Sequence, residues 1–168
     1  GDVLMLPDSG VGIMCWWDSA VDGGAMTMIQ NAGANMVRFD VDEGQTHPLT
    51  PYVNAFHLAC NEDGSILIDS PHGSGSSISK VDASEISDYY LNPSSGLCAL
   101  MNDDEGTVYA AWVNGTISRI IESETVTEEP FADGITEIRD MAYNFYNDTI
   151  IVLRQKDEFC SELLCIDT

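Results

Sequence analysis

Cys98–Ile120 reads CALMNDDEGTVYAAWVNGTISRI: three apolar runs separated by two short polar breaks. In the middle run Val108, Ala110 and Trp112 alternate with Tyr109, Ala111 and Val113. Period-two alternation of β-branched and aromatic residues is the signal of a strand. Asn114-Gly115 between two apolar runs predicts a tight hairpin, a two-residue type I′ turn with positive φ at both positions. The same Asn-Gly-Thr is also an N-glycosylation acceptor in a secreted protein, as is Asn147-Asp148-Thr149. Asn114 is therefore expected to serve first as a hinge. Both Asn114 and Asn147 stay open to glycosylation, because hairpin tips are exposed.

The pattern of run, turn, run, loop and run occurs four times. The other copies are GIMCWWDSAVDGGAMTMIQNAGANMVRFDVD, NAFHLACNEDGSILIDSPHGSGSSISKVD and RDMAYNFYNDTIIVLRQKDEFCSELLCID. Gly24, Gly64, Gly106 and Asp148 open the second run of each copy, at intervals of 40, 42 and 42 residues. Thr149–Leu153 is nearly all apolar, as a strand buried on both faces requires. No stretch sustains a helical period.

Weaker fourth strands fit Leu49–Val53, Ile86–Leu91 and Thr125–Phe131, each near Pro, Ser or Glu as edge strands often are. The last copy has only three strands, and Val3–Leu6 at the other end of the chain is a short strand that can complete it. Four-stranded antiparallel units repeating every 40–45 residues or so are the pattern of a β-propeller. The expected fold class is all-β: a propeller of four blades of about 42 residues, in a single domain with units at 11–53, 54–94, 95–134 and 135–168 plus 2–6.

MAYNFYNDTIIVL with LLCIDT, together with CALMNDDEGTVYAAWVNGTISRI, resembles the degenerate propeller repeats of secreted bacterial proteins. The resemblance implies a propeller on the cell surface or outside the cell, and specifies no activity. Asn102–Tyr109 is also similar to the Asp-box of sialidase-type propellers, with Asp104, Gly106 and a closing Tyr109. That motif is a structural hairpin, so it points to fold and not to catalysis. The Gly-His mark of WD40 repeats is missing, and Trp-Asp occurs once, at Trp17-Asp18, without recurring in the other copies.

The chain has 168 residues, with 28 Asp and Glu against 6 Lys and Arg, a formal net charge of −22. Such a charge repels nucleic acid and anionic membrane surfaces, so neither is an expected partner. No apolar run approaches the roughly 20 residues of a membrane-spanning helix, so no membrane insertion is expected. Gly1–Leu6 lacks the length and basic start of a signal peptide, which suggests a mature chain or one cut from a longer precursor.

Cys15, Cys60 and Cys98 sit inside apolar runs. Cys160 and Cys165 are the better disulfide candidates, although on one straight strand they would stand about 16 Å apart, too far to bridge. They could pair with each other across a bend, or one of them with another part of the fold.

Asp40, Asp42, Asp103 and Asp104 place oxygen ligands beside a glycine, in part like Ca²⁺ loops, which makes Ca²⁺ the candidate cofactor. None of these stretches completes an EF-hand, and Asx-Gly is also ordinary turn chemistry. Trp16, Trp17, Tyr89, Tyr90 and Trp112 are candidate binding aromatics, alternatively packed between blades. His72 lies in a Ser/Gly-rich loop and is a further surface candidate. The few arginines are expected to pair with the surrounding acids.

No nucleophile elbow, phosphate loop or dinucleotide fingerprint is present. The expected function is a non-catalytic recognition or scaffold module that binds a protein or carbohydrate partner. Its surface would be loops such as 31–35, 70–76 and 155–160 at one end of the propeller. The alternatives are a glycan lyase or hydrolase with paired carboxylates in the channel, and a self-associating subunit of an extracellular assembly or filament.

Overall fold

The computed structural model describes residues 11–17, 25–30, 35–40, 45–51, 55, 57–60, 65–70, 76–82 and 85–168. These form antiparallel sheets in two compact units, Gly1–Phe56 and His57–Thr168. The first unit holds β1 (Val11–Trp17), β2 (Ala25–Gln30), β3 (Asn35–Asp40) and β4 (Gln45–Pro51), paired in that order. Its side chains lie largely outside the described residues. The expected closing strand, Val3–Leu6, also lies outside them.

The second unit contains three sheets. The first is β5 (Leu58–Cys60), β6 (Ile66–Ser70), β7 (Ser76–Asp82) and β8 (Glu85–Asn92). The second is β9 (Leu97–Asn102), β10 (Val108–Trp112), β11 (Ile117–Glu122) and β12 (Val126–Ala132). The third has β13 (Ile138–Asn144), β14 (Thr149–Gln155) and β15 (Ser161–Asp167). Each is a meander of neighbouring strands; the fourth strands expected at Ile86–Leu91 and Thr125–Phe131 are present as β8 and β12, while β4 begins at Gln45, four residues before the expected Leu49.

The β9–β12 sheet is the middle layer of this unit. Leu100, Val108, Ala110, Trp112 and Ile120 face the β5–β8 sheet and pack on Ala59, Leu67 and Ile78. On the opposite face Ala99, Met101, Tyr109, Ala111 and Ile117 pack on Ile138, Met141, Ile150 and Val152 of β13 and β14. Both faces are covered, so all five residues of β10 are buried. Ala110 and Ala111 sit back to back at the centre, where small side chains let a sheet approach on each side.

The β10–β11 turn differs from the expected type I′ hairpin. Gly115 has φ of 90° while Asn114 has no positive φ. Gly115 donates its N–H to the carbonyl of Trp112, and Trp112 donates to the carbonyl of Thr116, both at 2.9 Å. This is a three-residue loop, a type I turn followed by one left-handed residue, and only the last position demands glycine. The β9–β10 turn repeats it: Gly106 has φ of 82° and donates to Asp103, which donates to Thr107. In the β13–β14 turn Asp148 takes the left-handed position, with φ of 54°.

A Cβ on Gly115 would lie 3.1 Å from the carbonyl oxygen of Ile135, whose own N–H bonds the Gly115 carbonyl at 3.0 Å. Left-handed strain and this close approach add together. Gly115→Ala is therefore expected to lower unfolding free energy by about 1–3 kcal/mol, read from urea titrations followed by circular dichroism. An unchanged midpoint would contradict the turn assignment.

Candidate functional site

A cleft of about 380 Å³ opens in the second unit between the β9–β10 and β13–β14 turns. Asp103, Asp104, Glu105, Arg119, Tyr143 and Asp148 contribute its polar lining, with Tyr109 and Thr168 alongside. Each side chain is positioned by local chain chemistry. Asp103 Oδ1 accepts the N–H groups of Glu105 at 3.0 Å and Thr107 at 2.7 Å, while Oδ2 accepts the Tyr109 hydroxyl at 3.3 Å. Its carboxylate is thus used up in shaping the turn.

The Tyr143 hydroxyl stands 2.6 Å from Asp148 Oδ1 and 2.9 Å from Asp104 Oδ1. A phenol has one proton, so only one of these carboxylates can receive it at a time. The shorter contact is with Asp148, whose Oδ1 also accepts the Thr168 hydroxyl at 2.7 Å. Tyr143 and then Thr168 hold the Asp148 carboxyl below its ordinary value. The bond to Asp148, then burial, then Asp104 hold the Tyr143 phenol above its own. Asp148 thus stays ionised and Tyr143 stays neutral through the physiological range. A glycosidase general acid needs its carboxyl shifted the other way from that of Asp148.

Arg119 is the cation of the lining. It was expected to pair with an acid, but its guanidinium carbon lies 4.8 Å from the Phe131 ring centre and 5.8 Å from that of Tyr109. Its buried Nε has no hydrogen-bond partner. Arg154 does pair, through Nε to Glu162 Oε1 at 2.6 Å. The β13–β14 turn, which brings Asp148 to the cleft, holds Phe145 and Tyr146 in solvent, 64% and 83% exposed, with ring centres 4.3 Å apart.

The residues singled out in the sequence fall in different places. Trp16 and Trp17 end β1 and Asp40 ends β3, but their side chains, like Asp42 and His72, lie outside the described residues. Trp112 is 1% exposed and therefore packs as core, away from any binding surface. Its indole Nε1 donates to Ser118 Oγ at 3.2 Å, and its ring lies 6.2 Å from that of Tyr90. Tyr90 and Tyr89 are half-buried between the two sheets, and Tyr89 donates to Glu122 at 2.9 Å. The three aromatics come together, but as inter-sheet packing.

Burial and then the bond to Glu128 raise the Tyr90 phenol from 10.0 to about 12. Its folded value exceeds its unfolded value, so this stabilisation is full below pH 10 and disappears as pH rises from there through about 12. Wild-type stability is expected to fall more steeply over that window than that of Tyr90→Phe, measured by urea unfolding at stepped pH. Parallel profiles would refute the bond.

Two further candidate groups have these positions. Cys160 and Cys165 are free and exposed. Cys160 directly precedes β15 and Cys165 lies on it, so extended backbone keeps them apart. Asp103 and Asp104 join no cluster of three or more potential metal ligands among the described residues. Asn114 and Asn147 are both exposed at turns, and Asn114 Oδ1 accepts the Thr116 N–H at 3.2 Å.

Sequence reasoning missed Tyr143, Thr168 and the exposed Phe145–Tyr146 pair. The register repeat did flag Asp148 as a turn residue. Nothing in the linear chain linked it to Asp104, because that approach depends on how two sheets stack.

No protein-family model matches the chain, and no curated protein matches it in sequence. Solved structures are similar to it in fold. Hydrazine synthase of Kuenenia stuttgartiensis is 15% identical over 87% of this chain and 43% of that one, with a TM-score of 0.64. Virginiamycin B lyase of Staphylococcus aureus is 14% identical over 97% and 58%, with a TM-score of 0.58. YCF48 bound to D1 peptide is 17% identical over 97% and 52%, also at 0.58. The chain thus spans about half the length of these structures. Its antiparallel sheets have the fold of β-propeller-like repeat proteins.

Proposed function

We propose that the chain is an extracellular or cell-surface recognition module that binds a protein segment in the cleft between the β9–β10 and β13–β14 turns. One observation carries this reading: the β13–β14 turn that brings Asp148 to the acid-lined cleft also holds the exposed Phe145–Tyr146 pair. Exposed adjacent aromatics are an uncommon surface feature and supply contact area at low entropic cost. Asp103, Asp104, Glu105 and Asp148 outnumber Arg119 in the lining, so a segment carrying Lys or Arg complements it. YCF48, a neighbour in fold, was solved with a peptide bound, which supports a binding role for such a scaffold.

The test is selection of a displayed random-peptide library against the chain, repeated with a Phe145→Ala, Tyr146→Ala double variant. Enriched peptides are expected to carry basic residues, to weaken in salt, and to lose about tenfold or more in affinity for the variant. A selection without enrichment, or equal binding to both proteins, sinks the reading. A glycan array run in parallel scores the carbohydrate alternative.

A further inference from the structure

Arg119 stands apart from the other cations of the second unit. Among the described residues Lys80 pairs with Glu122, Arg139 with Glu137, and Arg154 and Lys156 with Glu162. Arg119 shares the cleft with Asp103, Asp104, Glu105 and Asp148, yet forms an ion pair with none of them. The reason is local. Phe131 and Tyr109 fix the guanidinium by its face. Asp103 is taken up by the N–H groups of its own turn, and Asp148 by the hydroxyls of Tyr143 and Thr168.

A guanidinium held by its face keeps its N–H donors in its own plane, where they match the two oxygens of a carboxylate. The Arg119 Nε is buried without a hydrogen-bond partner. Buried donors are nearly always bonded, so one that lies beside a cleft is poised for an acceptor brought from outside the chain. The acids of the β9–β10 turn complete the arrangement. Asp104 and Glu105 are exposed, and Tyr143 engages only one oxygen of Asp104. The cleft therefore offers an arginine and two carboxylates that do not neutralise one another.

This pattern restricts the ligand. A purely anionic segment would meet four acids in the lining and a chain of net charge −22. A purely cationic one would suit the acids but repel Arg119 and leave its Nε without an acceptor. We propose that the segment bound in the cleft carries both charges: a carboxylate that Arg119 grips, and close to it a Lys or Arg that Asp104 and Glu105 receive. This rests on the cleft being the segment-binding site proposed above, and adds to it an acidic group that the excess of acids in the lining would not by itself suggest.

Peptide selection against the wild-type chain and Arg119→Gln tests it, with random libraries displayed through either end. The two formats separate an Asp or Glu side chain from a free C-terminal carboxylate. Peptides enriched by the wild-type chain are expected to hold a carboxylate beside their basic residue. Converting it to the amide in synthetic copies should cost about tenfold or more in affinity, and that loss should vanish in Arg119→Gln. Arg119→Lys keeps the charge without the planar fork and should fall between. Nitrogen-15 NMR of the wild-type chain gives a readout that needs no variant to bind. The Arg119 Nε–H resonance, assigned by its loss in Arg119→Lys, should move when the acid peptide is added and stay in place with the amide. Enriched peptides with basic residues and no carboxylate, or an amide that binds as tightly as the acid, overturn this inference and leave the cleft to a basic segment. A selection with no enrichment overturns both.

Discussion

Trp112→Ala is expected to lower the unfolding free energy by about 3–5 kcal/mol, the largest loss of any single truncation in the second unit. Trp112 is among the largest fully buried side chains and belongs to the cluster that joins the β5–β8 and β9–β12 sheets. Its neighbours are strand residues in a stacked pair of sheets, which cannot collapse into the space it leaves. Truncation also strips Ser118, itself 0% exposed, of one of its partners. Trp112→Phe separates the two contributions. It keeps most of the packing and loses the indole bond, so a cost of about 1–2 kcal/mol is expected. Urea titration followed by far-ultraviolet circular dichroism is the measurement. A loss below about 1 kcal/mol for the alanine variant would mean that these two sheets do not share a core.

The second large effect is expected from Glu128→Ala, at about 2–4 kcal/mol. Glu128 stands on the outer strand β12, where a carboxylate would ordinarily contribute little to stability. Here it collects three donors from two sheets. Ser118 Oγ donates to Oε1 at 2.6 Å, Tyr90 donates to Oε2 at 2.6 Å, and Asn92 Nδ2 approaches Oε2 at 3.4 Å. With the indole of Trp112 donating to Ser118, the result is a chain of hydrogen bonds from the core to the sheet edge. Removing the acceptor leaves buried donors unpartnered, which costs more than the net worth of the bonds. Glu128→Gln should lie between, because its amide keeps one acceptor oxygen and turns an N–H₂ toward groups that donate. A spectrophotometric titration gives a second readout. In Glu128→Ala the Tyr90 phenol should fall from about 12 toward its ordinary 10.0. If it stays near the wild-type value, burial alone raises it and the network assignment is wrong.

Both predictions concern residues that the sequence presents ambiguously. Trp112 could serve a binding surface or packing between blades. The alternation in Val108–Trp112 assigns it to one face of a strand but does not reveal that both faces are covered. Glu128 looks like any acid on a polar edge strand. Its donors lie 10, 36 and 38 residues away in the chain. Arg119 illustrates the reverse. In so acidic a chain an ion pair was the natural expectation, yet local packing set the guanidinium over Phe131 and Tyr109.

The strands, their antiparallel order and the positions of the turns follow from the sequence itself. Period-two alternation and recurring Gly or Asp at turn positions are local signals that act between residues a few positions apart. Even there the detail of one turn was decided by its surroundings. Asn114-Gly115 invites a two-residue hairpin, but the bonds of Trp112 with Gly115 and Thr116 settle a three-residue loop needing positive φ only at Gly115. The cleft belongs wholly to tertiary structure. Asp104 and Asp148 are 44 residues apart and meet on Tyr143 because two sheets stack with their turns at the same end. The sequence determined which residues could stand at those turns. Sheet stacking decided which of them share one proton, and so where a partner could be held.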